Sequence, residues 1–366
     1  METSAPTLKP AQLHHHDYWR DVLVQIGRNW ALLFLCLEIV YFSFAGTGYF
    51  SLKNFQNILV ASTTVTLLAT GETFVIITGG IDLSVGFVVG FTGVICAKMM
   101  VAFQAAGIAQ GISIPISVIA ALALGLIPGL VNGLLVARLN VPPFIATFGM
   151  YGIAYGVAEI VSGNVPVHNL PPAVGFIGNG YLLYYLPGKL SLFSPPDNLT
   201  REELKQMVGV IPNVVVLSII VILLFAFILS KTQFGQHTYA IGGNMEATKR
   251  AGIDVSRHLI KIYMISSFFA SVAGVIYVMK FVTGRADAGS ARMLDAVSAV
   301  VIGGASLYGG TGTIIGTVIG ALIIACLEIG LVNLAIPTFN LYIAVGCILV
   351  FAVLVDQFFP ELTHKE

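Results

Sequence analysis

Long apolar blocks are the feature that most limits what this chain can fold into. Most of these blocks approach the ~20 residues that a helix needs to cross the hydrocarbon core of a bilayer. They do not alternate apolar and polar residues, as the strands of a membrane barrel do. The sequence therefore predicts an all-α integral membrane protein with about ten transmembrane helices. The blocks lie at residues 30–50, 57–78, 85–103, 113–136, 143–162, 212–230, 259–281, 294–309, 313–334 and 341–359.

Composition agrees with this prediction and excludes several classes of function. Hydrophobic residues make up 57% of the chain and charged residues 10%, whereas a soluble domain carries about a quarter charged residues. The 18 basic and 18 acidic residues cancel, so no basic field favours binding to nucleic acid. The four cysteines lie in apolar blocks without C-x-x-C spacing, and we expect no metal site.

The placement of Lys and Arg predicts the orientation of the chain. The connection 231–261 holds five basic residues, and cytoplasmic connections are enriched in Lys and Arg. With that connection inside, both termini are cytoplasmic. The chain then divides into a cytoplasmic tail, a transmembrane permease domain with an external loop and a cytoplasmic coupling loop, and a second cytoplasmic tail. The tails are residues 1–29 and 360–366, and the permease domain is 30–359, with the external loop at 163–211 and the coupling loop at 231–258.

The segment TGGIDLSVG, residues 78–86, interrupts two apolar blocks. Gly79 and Gly80 can end a helix because glycine adopts left-handed torsions at little cost. Asp82 or Ser84 can cap the helix that follows. The break either forms a tight cytoplasmic turn or inner gate, which the orientation favours, or lines a pathway, since irregular backbone at membrane depth must lie against protein or water.

A second segment, IGGASLYGG at residues 302–310, repeats this pattern of span, break and span. Aligning the two pairs Gly79 with Gly303 and Gly80 with Gly304. Such echoes accompany the two-repeat construction of many transporters. The sequence therefore predicts an internal repeat with a break in each copy.

A few polar groups interrupt the apolar blocks and are candidates for the translocation path. Glu72 is the clearest, because a carboxylate inside a membrane is costly and suggests a function. Its alternative role is an internally bonded acid that fixes helix packing. Asn132 and Thr147 could face a neutral polar cargo. The small residues of the fifth block favour close helix packing.

No motif supplies the energy for transport from within the chain. It contains no G-x-x-x-x-G-K-[ST], G-x-S-x-G or H-E-x-x-H segment. We therefore expect no catalytic residue, no bound cofactor and a non-enzymatic subunit, which uses an ion gradient or a separate motor.

The segment NMEATKRAG in the basic connection has the elements of a short helix. Asn244 can be its N-cap, Glu246 lies in the first turn, Lys249 and Arg250 lie in the last, and Gly252 follows. So short a helix is unstable alone in water and must be held by docking. It is either a surface for a partner, with the small residues Ala247 and Ala251 one turn apart, or an ordinary capped loop.

Four segments together resemble the permease subunit of ATP-binding-cassette importers for monosaccharides of the ribose, xylose, arabinose and galactose type. They are ITGGIDLSVG, VPPFIATFGM, YAIGGNMEATKRAGIDV and VIGGASLYGGTGTIIGTVIGA, and the likeness runs from about residue 55 to 358. The resemblance implies that family's permease fold in the bacterial inner (cell) membrane. It also implies that the segment with Asn244, Glu246, Ala247, Ala251 and Gly252 contacts the ATPase.

The same resemblance implies the partners. They are a second permease copy, a cytoplasmic ATPase that binds ATP and Mg²⁺, an external sugar-binding protein, and membrane lipid. Residues near 188–210 depart from the family as an insertion. Two other functions stay open: an ion-coupled secondary transporter of sugars or amino acids, with Glu72 and Asp82 as candidate carboxylates, and an importer permease for nucleosides or branched-chain amino acids.

Overall fold

The computed structural model describes residues 30–196, 199–337 and 339–358, and both predicted tails lie outside that part of the chain. The helices are α1 Trp30–Ala45, α2 Leu52–Ile77, α3 Val85–Ala105, α4 Gln110–Ala137, α5 Pro143–Ser162, α6 Pro172–Asn179, α7 Arg201–Gln206, α8 Asn213–Lys231, α9 Gln233–Gly243, α10 Met245–Arg250, α11 Val255–Phe281, α12 Arg292–Ile302, α13 Ile314–Asn333 and α14 Phe339–Phe358. The strands are β1 Leu183–Leu186, β2 Lys189–Leu192 and β3 Val208–Gly209.

Seven of the described helices are long and apolar enough to cross a membrane, fewer than the ten predicted. They are α2, α3, α4, α5, α8, α11 and α13. Helix α1 and the apolar stretch Phe339–Phe351 of α14 are shorter. The eighth predicted block, 294–309, is wrong as a span, because α12 has 11 residues and ends at Ile302. At 1.5 Å per residue, α12 covers only about 16 Å.

Helix α11 is the centre of the bundle and packs against α2, α3 and α4. Glycines on its neighbours allow this close approach. A Cβ at Gly129 would lie 2.3 Å from the Tyr263 carbonyl oxygen, and a Cβ at Gly133 would lie 2.7 Å from the Ile260 Cα. Because lipid does not drive helices together as water does, contacts between small residues are the usual basis of packing in membranes.

The prediction of an all-α protein is wrong in the connection 163–212. Strands β2, β1 and β3 form a three-stranded antiparallel sheet in that order. Strand β2 and helix α7 lie in the insertion noted near 188–210. Helix α7 begins with a capping box, the T-x-x-E pattern at residues 200–203, because Thr200 accepts from the Glu203 amide and the Glu203 carboxylate accepts from the Thr200 amide.

We call the end of the bundle with this sheet the sheet side, and the opposite end, with α9 and α10, the α10 side. The connection α4–α5 lies at the α10 side, since residues 136–138 and 140–143 share a cavity with Met245 and Lys249. The connection α3–α4 lies at the sheet side, where Gln110 accepts from the Ala173 amide of α6.

Both predicted breaks are Schellman caps. After α2, the Gly79 amide donates to Ile76 and the Gly80 amide to Val75; after α12, the Gly304 amide donates to Val301 and the Ala305 amide to Val300. Gly79 and Gly304 hold the left-handed torsions, with φ of 80° and 87°. The structural echo therefore pairs Gly79 with Gly304, one residue away from the alignment of the sequences.

Candidate functional site

Asp82 is the centre of a polar cluster inside the bundle. Its Oδ1 accepts from the Ser84 amide at 3.0 Å, from Ser84 Oγ at 2.5 Å and from Asn132 Nδ2 at 3.4 Å. Its Oδ2 accepts from Ser266 Oγ at 2.8 Å. The side chains of all four residues have no exposed surface. Four donors on one carboxylate are the arrangement expected of a buried charge.

Glu72 lies next to Asp82 but has fewer partners. The Asp82 amide donates to Glu72 Oε2 at 3.3 Å, and Glu72 Oε1 has no hydrogen-bond partner within the described residues. Glu72 is also fully buried. The surroundings of Glu72 thus suit a neutral carboxylic acid, because a neutral acid needs fewer hydrogen-bond donors than a carboxylate anion does.

The chain re-enters the bundle after the first break, because Asp82 returns to the depth of Glu72 on α2. The predicted capping of α3 is wrong: Ser84 occupies the N-cap position without a side-chain cap bond, and Asp82 binds Ser84 itself. Thr147 Oγ1 of α5 donates to the Ile81 carbonyl at 3.2 Å. The irregular backbone is therefore held by protein on several sides, as membrane depth requires.

The structure brings together five residues that the sequence singled out: Glu72, Asp82, Ser84, Asn132 and Thr147. It adds Ser266 of α11, which the sequence reasoning missed. The pair Ser266-Ser267 inside the apolar block YMISSFFA was a visible signal. Gly79 and Gly80 border the cluster, whereas Gly303 packs against Gly316 of α13 and lies outside it.

Helix α10 is short and has the predicted cap. Asn244 Oδ1 accepts from the Ala247 amide at 2.9 Å, and the helix has six residues. Gly252 has φ of 85°, which explains the glycine after the helix. Thr248 is buried. The residues of this segment that the sequence singled out are all exposed: Asn244, Glu246, Ala247, Lys249, Arg250, Ala251 and Gly252.

Helix α9, which precedes α10, connects it to both breaks. A Cβ at Gly242 would lie 1.7 Å from the Ile77 carbonyl oxygen and 2.5 Å from the Gly310 amide nitrogen. The Gly310 amide itself donates to Ile77 at 2.8 Å, and Tyr239 Oη donates to the Gly312 carbonyl at 2.7 Å. The end of α9 is therefore wedged between the end of α2 and the segment after α12.

Two large cavities lie at opposite ends of α2 and α11. The first, of about 490 Å³, opens at the sheet side and reaches Thr64 and Tyr277. The second, of about 800 Å³, opens at the α10 side and reaches Thr78 and Tyr263. Every residue from Val65 to Thr78 is buried. Along α2, this sealed section separates the cavities by about 21 Å, and the Asp82 cluster lies within it.

Comparison with known proteins identifies relatives over nearly the whole chain. The family model described as branched-chain amino acid transport system / permease component matches residues 54–354. The xylose transport system permease protein XylH of Haemophilus influenzae is 34% identical over 361 residues, covering 89% of this chain and 94% of the relative.

Two further relatives are ribose import permease proteins. RbsC of Escherichia coli is 36% identical over 334 residues, covering 89% of this chain and 92% of the relative. RbsC of Bacillus subtilis is 33% identical over 325 residues, covering 88% and 90%. No solved structure matches the chain significantly.

Proposed function

The chain belongs to the family of the branched-chain amino acid transport system / permease component, and we propose that it is the permease subunit of an ATP-driven importer for a neutral monosaccharide. As a permease component it is a non-catalytic transport subunit. The observation that carries the choice of sugar is its similarity, along about nine-tenths of both chains, to permeases named for ribose and xylose.

The proposal includes three partners: a second permease copy, a cytoplasmic ATPase and an external sugar-binding protein. The α10 side is then cytoplasmic and the sheet side external, with both termini cytoplasmic. The basic residues of the connection 231–261 support this orientation.

Helix α10 is the proposed contact with the ATPase. Its exposed residues suit a partner surface, and a six-residue helix needs docking for stability. A force applied there has a direct route to the interior, because Gly242 of α9 is wedged between Ile77 and Gly310. Nucleotide-driven movement of α10 would thus shift both breaks together.

The Asp82 cluster is the proposed gate of the translocation path, and it lies between the two cavities. It consists of Glu72, Asp82, Ser84, Asn132, Thr147 and Ser266. Gly79 and Gly80 border it, and Gly303 and Gly304 form the corresponding break after α12. Its full burial supports a closed state in which these groups bind one another. Opening would require the break after α2 to move. The contact of Gly242 of α9 with Ile77 would transmit that movement.

Reconstitution tests the proposal. The chain would be incorporated into liposomes with the ATPase and binding protein encoded beside it, and uptake of labelled ribose, xylose, galactose and leucine would be measured. We expect ATP-dependent uptake of a monosaccharide and no accumulation by the chain alone. Accumulation by the chain alone would contradict the proposal and favour an ion-coupled transporter. So would uptake that an ionophore abolishes while ATP is present.

A second candidate substrate is a branched-chain amino acid, which the description of the family model favours. The same assay separates the two candidates, because uptake of labelled leucine and of each labelled sugar is measured individually. ATP-dependent uptake of leucine with none of any sugar would select this candidate.

A further inference from the structure

Within the part of the chain that the structure describes, the outward face of α5 packs against no other element. The helix packs against α3 and α4 along one side. On the opposite side, a Cβ added to Gly149, Gly152 or Gly156 would meet no atom within 4 Å. These glycines therefore leave a shallow channel along the helix surface.

Aromatic rings form one wall of this channel. Phe144 and Phe148 stack with centroids 5.8 Å apart and planes inclined by 6°, and Phe148 stacks on Tyr151 at 5.7 Å and 17°. Phe87 of α3 contacts the rings of Tyr151 and Tyr155 at 4.3 and 4.6 Å. From residue 144 to residue 155 the ladder is about 16 Å long.

At the sheet side, the ladder ends in a small polar cavity of about 150 Å³. Tyr155, Glu159, Asn164, Arg285 and Asp287 contribute to its lining. Arg285 holds Asp287 with two hydrogen bonds, from Nε at 3.0 Å and from Nη2 at 2.8 Å. The side chains of this pair remain about half exposed, at 48% and 49%.

The chemistry of this lining suits a neutral polyol. Glu159 and Asp287 offer oxygens that accept from hydroxyl groups, whereas Arg285 and Asn164 offer donors. Hydrogen bonds to such charged groups are stronger than those between neutral groups. The ring of Tyr155 offers an electron-rich face to polarised C–H groups. A cavity on the order of 150 Å³ can hold a six-membered ring such as benzene.

Lipid is a poorer occupant of the same surface. Aromatic belts that contact lipid lie at the membrane interface, whereas this ladder follows the helix axis for about three turns. Acyl chains also gain nothing from two carboxylates and a guanidinium at one end. The neutral sugar of the proposed function can use both parts, because it has hydroxyl groups at its rim and C–H groups on its faces.

We infer that the cavity of Tyr155, Glu159, Asn164, Arg285 and Asp287 is an entry subsite for a monosaccharide, and that the Phe144–Tyr155 ladder guides the sugar along α5. This inference rests on the proposed function, which makes the sheet side external. It places the contacts with the sugar on the exposed face of α5. The buried Asp82 cluster meets α5 from inside the bundle through the hydrogen bond from Thr147 to Ile81, so it would gate this path without contacting the sugar.

Binding of free sugar to the purified chain tests the subsite. D-ribose and D-xylose would be added separately to the chain in nanodiscs, and saturation-transfer difference NMR would report contact. We expect Glu159→Gln and Arg285→Gln to weaken binding roughly tenfold or more, since each removes a charge-assisted hydrogen bond. Ile160→Ala, on the same helix and 80% exposed, is the matched control and should bind as the wild type does.

The Tyr155 ring separates a specific contact from general disruption. Tyr155→Phe keeps the ring and should bind sugar within about twofold of wild type, whereas Tyr155→Leu should lose roughly tenfold, within the range of aromatic contact energies. Unchanged binding in Tyr155→Leu and Glu159→Gln, or no saturation transfer to either sugar in the wild type, would overturn the inference.

Uptake by the complete transporter distinguishes failure of this inference from failure of the proposed function. In the complex, Tyr155→Leu and Glu159→Gln should slow sugar uptake roughly tenfold while keeping stimulation of the ATPase. If both variants transport at the wild-type rate, the subsite is wrong and the function stands. If the wild-type complex takes up no monosaccharide with ATP, the proposed function itself is wrong.

Discussion

The Asp82 cluster and helix α10 both consist of polar residues between apolar helices, yet their surroundings are opposite. Asp82 has four donors and no exposed surface. Helix α10 has one buried residue, Thr248, and its charged side chains pair only with one another, as Glu246 does with Lys249 at 3.3 Å. Polar groups that are satisfied internally maintain the fold, whereas polar groups left exposed in a membrane protein are available to a partner.

This comparison predicts that damage to the cluster is seen first in stability. Asp82→Ala would leave buried donors of Ser84 and Ser266 without an acceptor, whereas Asn132 would keep its bond to Ser84 Oγ at 3.0 Å. Each such group costs about 1–3 kcal/mol, so we expect a loss of several kcal/mol and a clear drop in Tm. Thermal unfolding of detergent-purified protein checks this. An unchanged Tm would contradict the conclusion that the hydrogen bonds of this cluster maintain the fold.

The junction between the two regions should show the next largest effect, on coupling. Gly242→Ala places a Cβ where the Ile77 carbonyl oxygen and the Gly310 amide lie, so α9 must move away from both breaks. We expect transport and stimulation of the ATPase to fall at least tenfold, with insertion into the membrane retained.

Gly243 provides the matched control for this junction, because a Cβ there meets nothing within 4 Å. Gly243→Ala should therefore transport as the wild type does. Equal transport by Gly242→Ala and Gly243→Ala would show that the contact at Gly242 does not carry the movement.

Changes on α10 should affect coupling without affecting stability. Arg250 is exposed and forms no ion pair among the described residues, so Arg250→Glu should leave the Tm within about a degree, as surface substitutions usually do. We expect stimulation of the ATPase to be lost. Arg257→Glu, whose native side chain pairs with Asp254 at 3.0 Å, is the control at the same side; equal losses in both variants would indicate a general charge effect.

The smallest effect is expected for Glu72→Gln. The glutamine carbonyl can still accept from the Asp82 amide, which is the one bond that Glu72 makes. We expect uptake within about twofold of wild type and a change in stability below about 1 kcal/mol. Loss of transport together with retained ATPase stimulation would contradict this prediction and would show that the Glu72 carboxyl group acts in transport itself.

Several local features could be predicted because they depend on neighbouring residues in the sequence. Thr200 with Glu203, and Asn244 with the amide three residues later, are caps that the sequence specifies within one turn. The glycines at 79 and 304 end helices for the same reason. The block 294–309 is too long because hydropathy alone extends it past Gly303 and Gly304, although the repeat pattern places a break there.

The depth of the first break could not be predicted in the same way. A turn at the cytoplasmic surface was the favoured interpretation, but Asp82 returns into the bundle to meet Ser266, which is 184 positions away. That contact depends on how α11 packs against α2, α3 and α4, which is set by glycines spread over several helices. The depth of the break therefore cannot be predicted from any short segment of the sequence.

The sequence by itself determined that the chain is helical in a membrane, where most helices lie, and that α10 is capped and carries charge. These are consequences of hydropathy and local hydrogen bonding, which act between residues close in the chain. Only the tertiary structure decided which polar groups are enclosed and which face outward, as Asp82 and the face of α5 show. Burial and the supply of hydrogen-bond partners depend on distant segments packing together, and that packing is a property of the whole bundle.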